Sequence, residues 1–365
     1  MQFSRLRFAI AILALGVTAT AVQAASIEAM AGQMIIVGFH GDSASDKSVQ
    51  AVAHDITDGS IGGIMYLQTN VASLSAVKAM NAAFNAASPS LPPFITLDQE
   101  GGAVERLTHA VGFAEVPSAQ TVAANDKPAD AEKLYSKMAN AIADLGFTVN
   151  FGPIVDLNIN PKNPIIGKFG RSFSKDPATV DAYAEAFIQA HHDAGLLTAL
   201  KHFPGHGSST ADSHQGFVDI SKTWSPVELE PYKALFASGY SDFVMVGHLY
   251  HKDYTEEGAQ LPASLSPEWI TGVLRNQLGF KGVVISDDLE MGAIRKRFDL
   301  KETVVRAVNA GADVLLFSNT AKYDPDLGSK IQAILVAEAN ADPAFAAKIT
   351  QSYDRIVAMK GRIGG

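Results

Sequence analysis

The chain has 365 residues, of which 47% are hydrophobic and 18% are charged, and its formal net charge is −9. This composition is typical of a globular protein, and the acidic balance argues against nucleic acid and anionic membranes as partners. The chain contains no cysteine, which excludes disulfide bonds and a lipid-modified cysteine anchor.

The first 24 residues have the pattern of a secretory signal peptide. Arg5 and Arg7 precede an uncharged apolar run over residues 8–22, and small residues follow at Ala24 and Ala25. We expect cleavage after Ala24, which removes two positive charges from the formal charge of −9 and leaves −11. An uncleaved anchor is the alternative, although the run is shorter than the roughly 20 residues that span a bilayer. The segment predicts a periplasmic or secreted protein without stable membrane association after cleavage.

Short apolar runs rich in Val, Ile and Phe alternate with longer segments of helical period in residues 25–365. Eight such runs occur, at 34–39, 63–67, 94–97, 148–155, 197–202, 243–248, 283–286 and 314–317. Alternating strands and helices indicate βα units that form a parallel sheet, and eight repeats can close into a barrel. We therefore predict an α/β fold, a single (β/α)8 TIM-type barrel with its active site at the C-terminal ends of the strands. An open doubly wound sheet is the competing architecture.

Three helix starts are marked by proline. Asp176, Ser225 and Ser266 each precede a proline, which predicts an N-cap followed by the first helical residue. Glu228, three residues after Ser225, predicts a capping box. His191 and His192 continue the helix that begins after Asp176, and we expect both on its solvated side.

Charged residues and histidines gather where five of the predicted strands end. These residues are Asp98 with Glu100, Asp156, Lys201 with His202, His248, and Asp287 with Asp288. The ends of barrel strands are where catalytic residues collect. A single aspartate there is more often a helix cap, but five such ends together indicate a site for a polar, uncharged ligand such as a sugar.

The stretch Lys201-His202-Phe203-Pro204-Gly205-His206-Gly207 is followed closely by Asp212-Ser213-His214. Residues i and i+2 of an extended segment point to the same side, so Asp212 can hold the ring of His214. Histidine, with a reference pKa of about 6.5, can serve as both acid and base near neutral pH. A metal site built from His202, His206, Asp212 and His214 is the alternative. It is less favoured because a proline and a glycine separate the first two histidines and Lys201 would repel a cation.

Motifs spread along the whole mature chain match one known pattern. They are Gly32 to Phe39, Asp98-Gln99-Glu100-Gly101-Gly102, Arg106, Phe151 to Asp156, Gly170-Arg171-Ser172-Phe173, Lys201 to Gly207, Asp212-Ser213-His214 and Ser286-Asp287-Asp288-Leu289. In these residues the chain resembles glycoside hydrolase family 3, in its β-N-acetylhexosaminidase branch. The resemblance implies that residues 25–365 form the family's N-terminal-type catalytic barrel.

The resemblance also implies a retaining reaction with a glycosyl-enzyme intermediate. Alternation along the strand leaves either Asp287 or Asp288 free to face the pocket, and the family pattern selects Asp287 as the nucleophile. By the same resemblance Asp212 and His214 form the acid/base pair on a mobile loop after the fifth strand. The implied sugar-binding residues are Asp98, Arg106, Arg171, Lys201, His202 and His248.

The function implied by the resemblance is exo-acting removal of terminal N-acetylglucosamine from peptidoglycan fragments or chito-oligosaccharides. We expect a monomer that uses no cofactor or metal and has only a carbohydrate substrate as its partner. The alternatives are a β-glucosidase-like or phosphorylase activity, and an exported sugar-binding protein without catalysis. The signal pattern departs from the cytoplasmic members of this branch that recycle peptidoglycan fragments.

Overall fold

The computed structural model describes residues 25–88 and 91–363, so the predicted signal peptide in residues 1–24 lies outside the described residues. Each of the eight predicted runs overlaps one strand of an eight-stranded parallel sheet, and a separate two-stranded sheet is formed by the sixth and eighth strands of the chain. The strands are β1 (Ile35–Gly38), β2 (Gly63–Met65), β3 (Phe94–Leu97), β4 (Val149–Asn150), β5 (Leu197–Phe203), β6 (Val218–Asp219), β7 (Phe243–Val246), β8 (Leu249–Tyr250), β9 (Val283–Ser286) and β10 (Leu315–Phe317).

The eight-stranded sheet closes on itself. Ile35 in β1 pairs with Leu315 in β10, which joins the first strand to the last. On the other side of β10, Ile285 and Val314 form a parallel bridge, and the backbone N–H of Ser286 donates to the carbonyl of Val314 at 3.0 Å. These contacts confirm the predicted TIM-type barrel. The competing prediction of an open doubly wound sheet is wrong.

Helices surround the barrel, and the longer ones bury an apolar stripe against it. In α6, for example, Val180, Tyr183 and Phe187 are buried, and the carboxylate of Asp176 accepts from the backbone N–H of Thr179 at 3.0 Å as the predicted N-cap. No helix within residues 25–88 and 91–363 is long and apolar enough to cross a membrane. The helices are α1 (Ile27–Gln33), α2 (Lys47–Thr57), α3 (Leu74–Ala87), α4 (Ala119–Asn125), α5 (Pro128–Asp144), α6 (Pro177–Asp193), α7 (Glu230–Ala237), a π-helical segment (Glu268–Gln277), α8 (Gly292–Arg295), α9 (Leu300–Ala310), α10 (Leu327–Ala341) and α11 (Pro343–Lys360).

The predicted capping box at Ser225 is wrong. The chain forms a 3₁₀ turn over Pro226–Leu229 before α7, and Ser225 makes no side-chain capping bond. Glu228 is buried instead of reaching back to Ser225, and its carboxylate accepts from the backbone N–H of Ser208 at 3.3 Å. Contacts with the loop that follows β5 therefore decide the position of Glu228.

The expectation that His191 and His192 are solvated is also wrong. His191 is fully buried, with its Nδ1 2.8 Å from the carbonyl of Phe187 and its Nε2 3.0 Å from Nδ2 of Asn150. Burial lowers the pKa of His191 to about 4. His192 is half-buried and lies 2.7 Å from a carboxylate oxygen of Asp242. Both histidines tie α6 to the barrel.

The last helix, α11, packs beneath the N-terminal ends of the strands. The buried Nζ of Lys360 donates to the carbonyl of Gly62 and to Oε1 of Gln33, both at 2.7 Å. The same Nζ lies 4.5 Å from the ring centre of Phe94, a distance that allows a cation–π contact. Burial lowers the pKa of Lys360 to about 7. The C-terminal helix therefore covers the bottom of the barrel, on the side opposite the strand ends predicted to carry the site.

Candidate active site

A cleft of about 360 Å³ opens at the C-terminal ends of the barrel strands. Seven of the nine predicted site residues line it, namely Asp98, Arg106, Arg171, Lys201, His202, His214 and Asp287. Its volume is in the range of small-molecule sites, and apolar side chains such as Met65, Met245 and Met291 complete its wall. A larger hollow of about 490 Å³ on the outside of the barrel, between α5, α6 and α7, carries none of the predicted site residues.

A network of charges forms one side of the cleft. Nζ of Lys201 lies between two carboxylates, 2.6 Å from Oδ1 of Asp98 and 2.7 Å from Oε1 of Glu100. Arg106 donates to Oδ2 of Asp98 at 2.8 Å, and Arg171 donates two bonds of 2.8 Å to Glu100. The paired charges satisfy one another in a fixed geometry, which makes the wall rigid before a ligand arrives.

The network keeps both carboxylates ionised. Burial alone would raise the pKa of Asp98, but the charges of Lys201 and Arg106 outweigh it and hold that pKa well below its usual range. For Glu100, burial is likewise outweighed by Arg171 and Lys201, which lower its pKa to about 2. Ionised carboxylates accept hydrogen bonds only, so this wall can fix sugar hydroxyl groups as donors.

Asp287 stands directly after β9 and faces the cleft. Its backbone N–H donates to the carbonyl of Val246 at 3.0 Å, and its Oδ1 accepts from the backbone N–H of Asp288 at 2.8 Å. Although burial opposes ionisation, the nearby His248, His202 and His214 lower the pKa of Asp287. An ionised, half-buried carboxylate of this kind is the state required of a nucleophile.

The carboxyl group of Asp288 makes different contacts. Its Oδ1 accepts from the backbone N–H groups of Ser318 at 2.9 Å and of Glu290 at 3.0 Å. Burial raises its pKa, in the opposite direction to that of Asp287. Both residues border the cleft, but the Asp288 carboxyl group is occupied in joining the segment after β9 to the end of β10. The contacts therefore favour Asp287 as the reactive group.

Asp212 and His214 form a hydrogen-bonded pair on the loop after β5. Oδ1 of Asp212 lies 2.7 Å from Nδ1 of His214 and accepts from its backbone N–H at 2.9 Å. Because an ionised carboxylate only accepts, Nδ1 carries the proton and Nε2 is the nitrogen left for chemistry. Within residues 25–88 and 91–363, Nε2 of His214 has no hydrogen-bond partner, and its side chain is 56% exposed. Asp212 stands behind the histidine and does not itself line the cleft.

His202 forms a second pair of this kind. Its Nδ1 lies 2.7 Å from Oδ2 of Asp156, and Oδ1 of Asp156 accepts from the backbone N–H groups of His202 and His206. Burial opposes ionisation of Asp156, but His202 and these bonds keep its pKa low. The fixed ring of His202 therefore presents its Nε2 side to the cleft.

The structure does not place His248 where it could contact a sugar in the cleft, as the sequence had predicted. His248 is fully buried and does not line the cleft. Its Nδ1 lies 2.7 Å from Oγ of Ser264, and its Nε2 lies 2.8 Å from the carbonyl of Asp288. Both ring nitrogens are engaged, and His248 thereby supports the segment that carries Asp287.

The four residues of the alternative metal site do not converge. His206 is buried and turns to Oγ of Ser209 at 2.7 Å and Oγ of Ser213 at 3.2 Å, while His202 and His214 contact separate aspartates. Burial lowers the pKa of His206 to about 4. In the part of the chain that the structure describes, no group of three or more His, Cys, Asp or Glu residues is arranged to hold a metal ion.

Residues 26–359 match the model of the glycosyl hydrolase family 3 N-terminal domain. The chain belongs to glycosyl hydrolase family 3. Among its curated relatives in the family is a β-hexosaminidase of Xylella fastidiosa, 35% identical over 295 residues, which are 78% of this chain and 82% of the relative. Another is the β-hexosaminidase LpqI of Mycobacterium tuberculosis, 36% identical over 337 residues, which are 90% of this chain and 81% of the relative.

Solved family 3 structures share the same barrel. The β-N-acetylhexosaminidase of Beutenbergia cavernae superposes with a TM-score of 0.80 at 29% identity, over 93% of this chain and 99% of the other. The family 3 β-N-acetylglucosaminidase of Paenibacillus sp. FPU-7 gives a TM-score of 0.82 at 32% identity, over 93% of this chain but only 63% of that longer protein. Fold and family together make the chain a glycoside hydrolase.

Three residues that shape this family 3 site were not among the predicted catalytic or sugar-binding residues. Glu100 pairs with Arg171 and Lys201, Asp156 orients His202, and Glu228 lies buried beneath the loop after β5. Glu100 and Asp156 stood in recognised motifs at strand ends, so their positions were signals that could have identified them. Glu228 had no such signal, since its sequence context predicted a helix cap.

Proposed function

We propose that this chain is a retaining exo-β-N-acetylhexosaminidase that removes terminal N-acetylglucosamine through a glycosyl-enzyme intermediate. One observation carries the proposal: His214, backed by Asp212, lines the same cleft as the ionised carboxylate of Asp287. Relatives named β-hexosaminidase, at 35% and 36% identity, support the substrate class.

In the first step the carboxylate of Asp287 attacks the anomeric carbon of the terminal sugar. The bond between that carbon and the leaving oxygen breaks, and Nε2 of His214 gives a proton to the oxygen. Asp212 accepts from Nδ1 and stabilises the positive ring before transfer. The products of this step are the released alcohol and a sugar bound covalently to Asp287.

In the second step water replaces the carboxylate. His214, now neutral, takes a proton from the water as its oxygen attacks the anomeric carbon, and the bond to Asp287 breaks. Two displacements at the same carbon retain the β configuration. No metal or cofactor takes part in this scheme.

The sugar itself is held by the charged wall of the cleft. Asp98 offers an acceptor to hydroxyl groups, while Lys201, Arg106 and Arg171 offer donors around it. His202 adds a ring nitrogen on the side of Asp287, whose pKa it lowers. A closed set of polar groups of this kind suits a single terminal sugar, which supports an exo mode of action.

The setting proposed for the enzyme is the periplasm or the exterior of the cell. This proposal rests on Arg5, Arg7 and the apolar run that follows them, the pattern of a cleavable signal. Peptidoglycan fragments or chito-oligosaccharides are the N-acetylglucosamine compounds available there, and the chain acts on them as a monomer without stable membrane association.

A panel of nitrophenyl β-glycosides tests the proposal. We expect the N-acetylglucosaminide to be hydrolysed faster than the N-acetylgalactosaminide and the unsubstituted glucoside, with β-N-acetylglucosamine as the first product by NMR. Fastest turnover of the glucoside would identify a β-glucosidase instead. Sugar 1-phosphate formed only when phosphate is added would identify a phosphorylase, and binding without turnover would identify a sugar-binding protein.

A further inference from the structure

A retaining reaction requires a fixed distance between nucleophile and acid/base, but here the two groups stand on different segments. Asp287 follows β9 directly, whereas His214 lies in the loop after β5 and is more than half exposed. The pair that His214 forms with Asp212 orients the ring but lies within the same loop. Something outside the loop must hold it in place.

Contacts with the segment after Asp287 hold the loop of His214 in place. The backbone N–H of Gly292 donates to the carbonyl of His214 at 3.0 Å, and that of Ala293 donates to the carbonyl of Ser213 at 3.1 Å. Gly292 is only five positions beyond the nucleophile, and the chain between them is folded back by a bond of 3.0 Å from the N–H of Met291 to the carbonyl of Asp288. A short, bonded segment thus connects the two reacting groups.

The close approach explains the glycine at position 292. A Cβ atom there would lie 2.6 Å from the carbonyl oxygen of His214 and 2.8 Å from the carbonyl carbon of Gln215. Both distances are far below van der Waals contact, and both involve backbone atoms that can give way only if the loop moves. Any side chain at this position would push the loop away from α8.

A third contact holds the loop one residue further along. Nζ of Lys296 donates to the carbonyl of Gln215 at 2.7 Å, and Lys296 is otherwise exposed. In the described ranges the side chain of Lys296 forms no ion pair and donates one hydrogen bond, to the carbonyl of Gln215. Three consecutive carbonyl groups, of Ser213, His214 and Gln215, are therefore bound by one short segment.

We propose that Gly292 and Lys296 are positioning residues that latch the acid/base loop onto the segment carrying the nucleophile. This inference rests on the proposed function, because it assigns to the latch the alignment of His214 with the leaving oxygen. With the latch open, Asp287 can still attack, but the proton for the leaving group no longer arrives along a fixed path.

The test compares Gly292→Ala with Gly216→Ala in the full chain. Gly216 lies on the same loop, but a Cβ atom there would meet nothing within 4 Å, so it is the matched control. For an N-acetylglucosamine disaccharide, whose leaving group needs a proton, we expect Gly292→Ala to lower kcat/KM, which reports the first step, by about 100-fold. For a dinitrophenyl glycoside, which leaves without a proton, the loss in kcat/KM should be at least about tenfold smaller. Gly216→Ala should lose little on either substrate.

Azide provides a readout that a structural defect alone would not change. Azide attacks the anomeric carbon of the glycosyl-enzyme and frees Asp287 as a β-glycosyl azide forms, and this needs no proton removal by His214. We expect added azide to speed turnover of the dinitrophenyl glycoside by Gly292→Ala, as by His214→Ala, and not by wild type or Gly216→Ala.

Lys296 supplies a second variant if Gly292→Ala fails to fold. We expect Lys296→Met to lower kcat on the disaccharide by about threefold to tenfold, the equivalent of one hydrogen bond. Lys296→Arg should retain most of the wild-type kcat on the disaccharide. Arg295→Met, which changes the exposed neighbouring residue, should leave kcat unchanged.

If the wild-type enzyme is active, any one of four results would contradict the proposed latch. They are equal losses of kcat/KM on both substrates, a Gly292→Ala enzyme that matches Gly216→Ala, a response to azide by His214→Ala but not by Gly292→Ala, and equal effects of Lys296→Met and Arg295→Met. Absence of wild-type turnover on every N-acetylglucosaminide would instead overturn the proposed function.

Discussion

Asp156 holds the ring of His202 at 2.7 Å, in a second histidine–aspartate pair whose histidine lines the same cleft as His214. The carboxylate fixes the Nδ1–H tautomer, so Nε2 is the ring nitrogen that remains available on the side of the cleft. The pair is buried, unlike the exposed pair of Asp212 and His214, and is suited to binding at a constant geometry.

Replacing Asp156 with Asn tests this pair. The amide can donate to Nδ1 and so allows the wrong tautomer, and we expect kcat/KM to fall roughly 10- to 100-fold, the worth of one hydrogen bond to a charged group. Steady-state kinetics on the aryl N-acetylglucosaminide measure the loss. Asp176→Asn, at the surface cap of α6, is the control and should be unchanged. Unaltered kinetics in Asp156→Asn would show that His202 needs no orientation.

Removing the nucleophile should abolish turnover. We expect Asp287→Ala to lower kcat by roughly 10⁵-fold or more, because the covalent step has no substitute. Asp288→Asn keeps an acceptor for the N–H groups of Ser318 and Glu290 and should retain much more activity. Circular dichroism checks that both variants are folded. Near-normal rates in Asp287→Ala, with a dead Asp288→Asn, would transfer the role to Asp288.

Loss of the acid/base should depend on the leaving group. We expect His214→Ala to slow an N-acetylglucosamine disaccharide by about 10²- to 10⁴-fold, the usual contribution of general acid catalysis. An activated aryl glycoside needs no proton on departure and should be slowed much less in its first step. Rates of wild type and His214→Ala, measured over a series of leaving groups, test this role. The same loss of rate for every leaving group would argue against His214 as the acid.

Glu100 should stabilise the fold through its pair with Arg171. Glu100→Gln leaves a buried guanidinium without its anion, and we expect a loss of about 3–5 kcal/mol in the free energy of unfolding at pH 7. The pKa of Glu100 is about 2 in the fold and 4.5 as its ordinary value. Its stabilisation is therefore complete above pH 4.5 and is lost as the pH falls towards about 2. Urea unfolding at several pH values should show wild type and variant converging over that window.

Glu228 should have the opposite pH dependence. Burial raises its pKa from an ordinary 4.5 to about 7, so the folded protein binds an extra proton between these values and loses stability as the pH rises through them. Within the described part of the chain its Oε1 has no hydrogen-bond partner. We expect Glu228→Gln to match wild type near pH 4.5 and to exceed it by about 1–3 kcal/mol at pH 8. Thermal melting at the two pH values measures this, and parallel curves would contradict it.

Much of the fold could be predicted because most of the barrel strands are short runs of apolar residues. The run at 148–155 shows the limit. Only Val149–Asn150 forms regular strand, because Pro153 has no N–H for the ladder, although Ile154 bridges to Lys201 beyond it. Local patterns find the strands, but the interruptions depend on single residues.

The site was predictable where residues sit at strand ends and not where a partner comes from elsewhere. Asp98 and Lys201 follow that rule and lie together as expected. The pair of Glu100 with Arg171 joins residues that are 71 positions apart, and the burial of Glu228 depends on the loop after β5, where its partner Ser208 lies. Such contacts arise from the closed barrel and have no trace in local periodicity.

The pairing of Ile35 with Leu315 means that the two ends of the barrel sequence are neighbours in space. A chain emerging from the ribosome or from a translocation channel cannot complete this barrel until nearly its whole length is available. Until β10 arrives, the edge of β1 exposes unpaired N–H and carbonyl groups of an apolar strand. Any cellular factor that protects the nascent protein must therefore cover its earliest strand for the longest time.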